Sequence, residues 1–404
     1  MNRSLRYKRF KAKARFWGLY WLPSVIVGSA LSIGRKRVPP TSAIYGIAVF
    51  LIEHIGDAVV AVPLLRRLRQ IFPEAKITLI ASATCISTLE KCPYVDQFIK
   101  VTAKPTWFGQ LLHALSMIIR LRTSYFDLAI VPKDALNAAF YELISIGVRS
   151  KWKISLRPPG DIWHIKPLKF DFFYDEFVLT SGTEHEAKYR LSSIDRFAPA
   201  GINDIRLEAW LSDDDQSFAE AFFNSIEERS ASAIAIAFGI GASAAKRRWP
   251  LQSYAAVIDG MSAQRPILPI VIIGPGEVAQ AQLLASMTSR KIYFSQIATV
   301  RQSAALISRC ALFIGNDSGP MHLAASLGVP VVEISCHPQA GDTRNFNSPR
   351  RYGPLGVKSK ILQPLPLDSF CEERGGCQYE DYPHCITTIS SNMVLDAATA
   401  LLAV

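Results

Sequence analysis

Three short segments of this chain bring together residue types that could hold an anion and move a proton. The first runs Phe313-Ile314-Gly315-Asn316-Asp317-Ser318-Gly319-Pro320-Met321-His322. An apolar run ends at Ile314 and Pro320 suits the first turn of a helix, so a strand is predicted to hand over to a helix here. Ser318 is the expected N-cap. Backbone N–H groups at a helix start, together with the helix dipole, favour an anion such as phosphate. Gly319 would let that anion approach without a Cβ in the way. The plain alternative is a capped turn with His322 as a packed surface histidine.

The second segment is Glu53-His54-Ile55-Gly56-Asp57-Ala58-Val59-Val60-Ala61-Val62-Pro63. It follows one apolar run and opens a helical stretch. Asp57 is thereby placed near a helix N-terminus, which stabilises the carboxylate form that a general base needs. Service as an N-cap is the structural alternative for Asp57, with His54 and Gly56 alongside. The third segment is Gly239-Ile240-Gly241-Ala242-Ser243-Ala244-Ala245-Lys246-Arg247-Arg248-Trp249-Pro250. Its small residues permit close backbone approach, while Ser243 and Lys246 offer a hydroxyl and a cation to phosphate. It lacks the Gly-Lys-Ser/Thr of a Walker A loop and does not match Gly-x-Gly-x-x-Gly.

These segments need strands and helices to aim them. Strands are expected over 44–52, 76–81, 97–101 and 126–132, with helices over 57–71, 106–121 and 136–146. A second series gives strands over 233–238, 268–273, 291–294, 311–314 and 329–334. Helices intervene over 251–261, 277–287, 300–308 and 320–327. Short apolar runs alternating with amphipathic stretches indicate parallel sheets with crossover helices. The fold class is therefore α/β, with two Rossmann-like doubly wound domains facing a cleft. The expected divisions are a tail over 1–42, a first domain over 43–211, a connection over 212–232, a second domain over 233–389 and a C-terminal helix over 390–404. Residues 151–182 look irregular, and beyond Ser335 the pattern turns to loops.

Composition narrows the function. Hydrophobic residues make up 49% and charged ones 20%, as in a globular protein. The formal net charge is +11, yet residues 1–52 hold ten basic residues and no acid, which leaves the remainder at +1. A near-neutral body argues against a basic nucleic-acid cleft. The tail also carries an uncharged, aromatic stretch from Phe16 to Ile33, 18 residues interrupted by Pro23. It either spans a membrane once or lies in the interface with its cations on anionic lipid, and the interface is the favoured reading.

In their order and spacing the three segments resemble the glycosyltransferases of family 9, the lipopolysaccharide heptosyltransferase family. The resemblance covers about Ile44 to Ile389. Its most specific parts are His54-Ile55-Gly56-Asp57 followed by Pro63, Lys246 with Trp249-Pro250, and Asn316 to His322 followed by Gly328-Val329-Pro330. It implies the glycosyltransferase-B fold and inverting transfer from a nucleotide diphosphate sugar, without a catalytic metal or other cofactor. By position, Asp57 matches the family's general base and Lys246 the basic residue at the donor diphosphate. Ser243 matches a phosphate-binding hydroxyl, and Asp317, Ser318, Gly319 and His322 match the donor turn. Glu277 falls where an acid holds the nucleotide ribose, and His54 and Gly56 fall on the acceptor side. The implied donor is ADP-heptose and the implied acceptor a lipopolysaccharide or other envelope glycan. The tail, read by its own residues, places the chain at the cytoplasmic face of the inner membrane, held peripherally or by a single N-terminal anchor. The basic tail departs from the family, whose members usually begin almost at the first strand.

Cys371, Cys377 and Cys385 also lie in a segment resembling one found in many members. Their Cys-x5-Cys and Cys-x7-Cys spacings lack Cys-x-x-Cys, so a zinc site is the weaker alternative, and loop packing or a redox-labile disulfide is the favoured reading. Two rival functions fit the same fold: a sugar-nucleotide epimerase, which would act on donor alone, and a non-catalytic, membrane-tethered sugar-nucleotide binding protein.

Overall fold

The structure is a computed structural model. It describes residues 44–102, 107–131, 144–145, 147–157, 174–179, 181–197, 204–226, 232–296, 298–345 and 347–403. The N-terminal tail and most of the helix expected over 136–146 fall outside these residues.

The first sheet contains β1 (Gly46–Leu51), β2 (Lys76–Ser82), β3 (Gln97–Val101), β4 (Tyr125–Val131), β5 (Arg149–Arg157) and β6 (Glu176–Leu179). Their order is β3-β2-β1-β4-β5-β6, with every neighbouring pair parallel. The second contains β7 (Ile234–Gly239), β8 (Ile267–Ile272), β9 (Leu312–Asn316), β10 (Val331–Ile334) and β11 (Ser359–Leu362). Its order is β11-β10-β9-β7-β8, again all parallel. Strand order reverses beside β1 in one sheet and beside β7 in the other. Crevices at such reversals, beyond the carboxyl ends of the strands, are where ligands bind. The segments that follow β1, β7 and β9 are the three singled out by their chemistry.

Burial explains the central strands. Gly46-Ile-Ala-Val-Phe-Leu and Ile234-Ala-Ile-Ala-Phe-Gly are covered on both faces, so they read as unbroken apolar runs. β5 escapes that pattern because its polar residues alternate with Trp152, Ile154 and Leu156, which are buried. It and β6 correct the irregular region expected over 151–182. β11 is likewise a correction: it is short, sits at the sheet edge and is partly exposed, so it shows no apolar run. The strand expected over 291–294 is reduced to one bridge between Tyr293 and Ile270.

The two halves share one apolar cluster. Val59, Val60 and Ala187 pack with Ala305, Met321, Leu323 and Phe223. Phe223 belongs to the helix Asp213–Asn224, whose start is fixed by reciprocal bonds between Ser212 and Asp215. The stretch expected as a connection is thus packed against both halves.

Candidate active site

His54, not Asp57, is the N-cap of the helix Ile55–Val60, and Asp57 stands at its third residue. The Asp57 carboxylate reaches back to the N-cap, where His54 N donates to Oδ2 at 3.3 Å. The helix packs against the helix Gly319–Ser326 and leaves Asp57 on the wall of the cleft. Arg190, from the helix Glu186–Leu191, fixes the other oxygen: its Nη2 donates to Asp57 Oδ1 at 3.0 Å and its Nη1 to Asp57 O at 3.1 Å. The same guanidinium pairs with Glu186 at 3.2 Å and Glu53 at 3.4 Å. Burial alone would lower the Arg190 pKa, but Glu186, Glu53 and Asp57 outweigh it, and the net direction is upward. Arg351, from the second half, closes the network on Glu186 at 2.9 Å.

Across the cleft, β9 ends at Asn316, whose side chain accepts from Trp249 N and donates to Ile240 O. These bonds tie the turn after β9 to the loop after β7. The helix Gly319–Ser326 then begins at Ser318. Ser318 is its N-cap residue, but its hydroxyl makes no capping bond, which corrects the sequence expectation. That hydroxyl is buried, without a hydrogen-bond partner among the described residues, and Ser318 lines the cleft. A buried hydroxyl left unsatisfied is costly and points to a ligand's polar atom as its partner. Asp317 is buried and pairs with Arg247 at 3.4 Å; burial pushes its pKa up against the pull of Arg247. Behind the turn, Glu333 lies in register with Gly315, and burial followed by Asp317 holds its carboxyl well above the usual range.

The loop after β7 places Ser243 and Lys246 on the cleft wall. Arg247 bonds the Ser243 hydroxyl, and Lys246 Nζ lies 2.6 Å from Glu380 Oε1. Glu277 closes its own turn by accepting from Gly274 N at 2.7 Å, and its carboxylate lies against Gly241.

The two walls touch through two glycines. A Cβ on Gly56 would lie 2.5 Å from His322 Cδ2, and one on Gly319 would lie 2.7 Å from Ile55 Cβ. Gly319 therefore serves helix-to-helix approach. His322 is buried, and its Nδ1 has no partner among the described residues. Burial, with His185 adding to it, pulls its pKa down to about 4, so the imidazole is neutral near neutral pH. The resulting cleft encloses about 720 Å³ and is lined by all ten residues predicted from sequence.

Sequence reasoning missed Arg190, Glu186, Arg351, Arg247 and Glu380. Only the Glu186–Arg190 spacing, one helical turn, carried any signal. Cys371, Cys377 and Cys385 are free thiols that pack together in one buried cluster, gathered with His384 outside the cleft lining.

The family model described as glycosyltransferase family 9 (heptosyltransferase) matches residues 114–349. The lipopolysaccharide core heptosyltransferase of Haemophilus influenzae is 23% identical over 316 residues, spanning 76% of this chain and 84% of the relative. Lipopolysaccharide heptosyltransferase 3 of Escherichia coli is 26% identical over 297 residues, spanning 69% and 79%. Among solved structures, the family 9 glycosyl transferase of Veillonella parvula superposes with a TM-score of 0.69 at 22% identity, covering 89% of this chain and 97% of that one. The Escherichia coli ADP-heptose lipopolysaccharide heptosyltransferase II gives 0.64 at 20% identity, covering 89% and 98%.

Proposed function

We propose that this chain, which belongs to glycosyltransferase family 9, transfers heptose from ADP-heptose to a lipopolysaccharide core acceptor with inversion and without a catalytic metal. The names of its relatives support the sugar and the acceptor. One observation carries the mechanism: Asp57, pinned by Arg190, faces the same cleft as the helix start at Ser318 but comes from the opposite half.

That arrangement suits a single displacement. An acceptor hydroxyl beside Asp57 gives up its proton to the carboxylate as its oxygen attacks the anomeric carbon. The bond to the nucleotide diphosphate breaks on the opposite face. Negative charge grows there, against Lys246, Arg247, the Ser318 hydroxyl and the helix N-terminus. These fixed cations and N–H groups fill the charge-stabilising role that a metal plays elsewhere. Glu277 is assigned to the nucleotide ribose, Asp317, Gly319 and His322 to shaping the donor turn, and His54 and Gly56 to the acceptor side. The basic, aromatic tail is assigned to the cytoplasmic face of the inner membrane. Among the described residues no helix is long and apolar enough to cross a membrane.

The test is transfer from ADP-heptose to heptose-deficient lipopolysaccharide, with the product's anomeric configuration read by NMR. Asp57→Asn should lower turnover by about 100- to 10,000-fold while ADP binding persists. Near-normal turnover in that variant, or a product with retained configuration, would remove Asp57 from the role of base.

A further inference from the structure

A second centre of chemistry lies beside the cleft, in the loop after β11. Cys371 and Cys385 are fully buried, Cys377 is 8% exposed, and His384 is half-buried with them. The three sulfurs and one imidazole nitrogen lie within 4.8 Å of one another. His384 Nδ1 stands 3.8 Å from Cys371 Sγ, 3.9 Å from Cys377 Sγ and 3.3 Å from Cys385 Sγ. A tetrahedral zinc ion with bonds of about 2.3 Å to sulfur and about 2.0 Å to nitrogen sets such S···N separations at about 3.5 Å. The observed distances bracket that value.

The surroundings are those of a metal-bound histidine. His384 turns Nδ1 to the sulfurs and Nε2 towards Asp368 Oδ2, 3.7 Å away. A carboxylate on the far side of a ligating imidazole fixes its tautomer and orientation. Asp368 is itself held, accepting from Cys371 N at 2.7 Å and Tyr379 Oη at 2.9 Å. The Tyr379 ring covers that of His384 with centroids 4.2 Å apart. Four converging N and S ligands, with all three sulfurs buried, form a structural rather than a catalytic set.

We propose that Cys371, Cys377, His384 and Cys385 bind one zinc ion, which pins the loop carrying Glu380 at the edge of the cleft. Spacing alone argued against this, because the ligands come from a short helix, a turn and an adjacent His-Cys pair rather than from a Cys-x-x-Cys knuckle. Glu380 lies between Cys377 and His384 and reaches Lys246, so the ion would set where that carboxylate meets the donor loop.

Elemental analysis of the full-length purified protein tests this. The expected result is one zinc per chain, lost in Cys371→Ser and Cys385→Ser and retained in Cys310→Ser. Should the cluster variants fail to fold, cobalt exchanged into the wild-type chain should show thiolate-to-metal charge-transfer bands of a tetrahedral site. Metal-free protein from zinc-supplemented cells, a disulfide among the three cysteines, zinc retained in both cluster variants, a different metal at that stoichiometry, or cobalt without those bands would each overturn the proposal.

Discussion

Arg190 grips Asp57 twice, through the carboxylate at 3.0 Å and through the backbone carbonyl at 3.1 Å. One side chain thus fixes both the position and the rotation of the acid. It does so while fully buried among Glu186, Glu53 and Asp57. Arg190→Gln should destabilise the fold by about 3–5 kcal/mol, because it leaves buried carboxylates short of a cation. Arg190→Lys keeps the charge but loses the fork. It should lower kcat while leaving the donor KM nearly unchanged. A raised donor KM with normal kcat would show that Arg190 does not act through Asp57.

The contact between Gly56 and His322 sets a second prediction. An added methyl group at Gly56 meets the ring edge at 2.5 Å, so the ring or one of the helices must shift. Gly56→Ala should cost about 1–3 kcal/mol of stability, as overpacking does. Trimming the opposing ring with His322→Ala should recover part of that loss, measured as coupling in a double-mutant cycle. Strictly additive effects would mean that the two residues do not touch in solution.

Which parts of this site could be read from sequence follows from how each residue is placed. Asp57, Lys246 and Ser318 sit in short continuous segments where a strand ends and a helix or tight loop begins, and turn residues mark such places. Arg190 lies in the last turn of the helix Glu186–Leu191, 133 residues from Asp57. Arg351 reaches Glu186 from 165 residues away. Charge networks of this kind depend on tertiary approach, which local patterning does not encode. The central strands were legible because both faces are buried, while β5 alternates and β11 is a short edge. The glycine roles were legible only in part: the positions stood out, but not the partner each one admits.

In the proposed mechanism Glu380 competes with the donor diphosphate for Lys246. Their pair lies at 2.6 Å, with the Lys246 side chain 11% exposed and that of Glu380 60% exposed. A pair so open to solvent is worth at most about 1 kcal/mol. Glu380→Gln should therefore tighten ADP binding by no more than about fivefold, seen by isothermal titration. Lys246→Ala should weaken it. If Glu380→Gln binds ADP more weakly than wild type, the carboxylate is a positive contact for the nucleotide and not a placeholder.

His322 should make stability depend on mildly acidic pH. Burial holds its pKa at about 4 in the folded chain, against an ordinary value of 6.5. The folded state then binds fewer protons than the unfolded chain between these values, so stability is full above the unfolded pKa. It falls as pH drops towards the folded pKa and levels off below it. His322 alone accounts for about 3 kcal/mol across that window. His185, also lowered chiefly by burial, adds in the same direction. Urea midpoints should fall as pH decreases from about 7 to about 4.5. His322→Gln should show a shallower decline over the same range, because its side chain does not titrate. Paired carboxylates contribute a slope common to both proteins, so the difference between the two curves isolates the histidine. Equal slopes would mean that His322 is not held neutral inside the folded cleft.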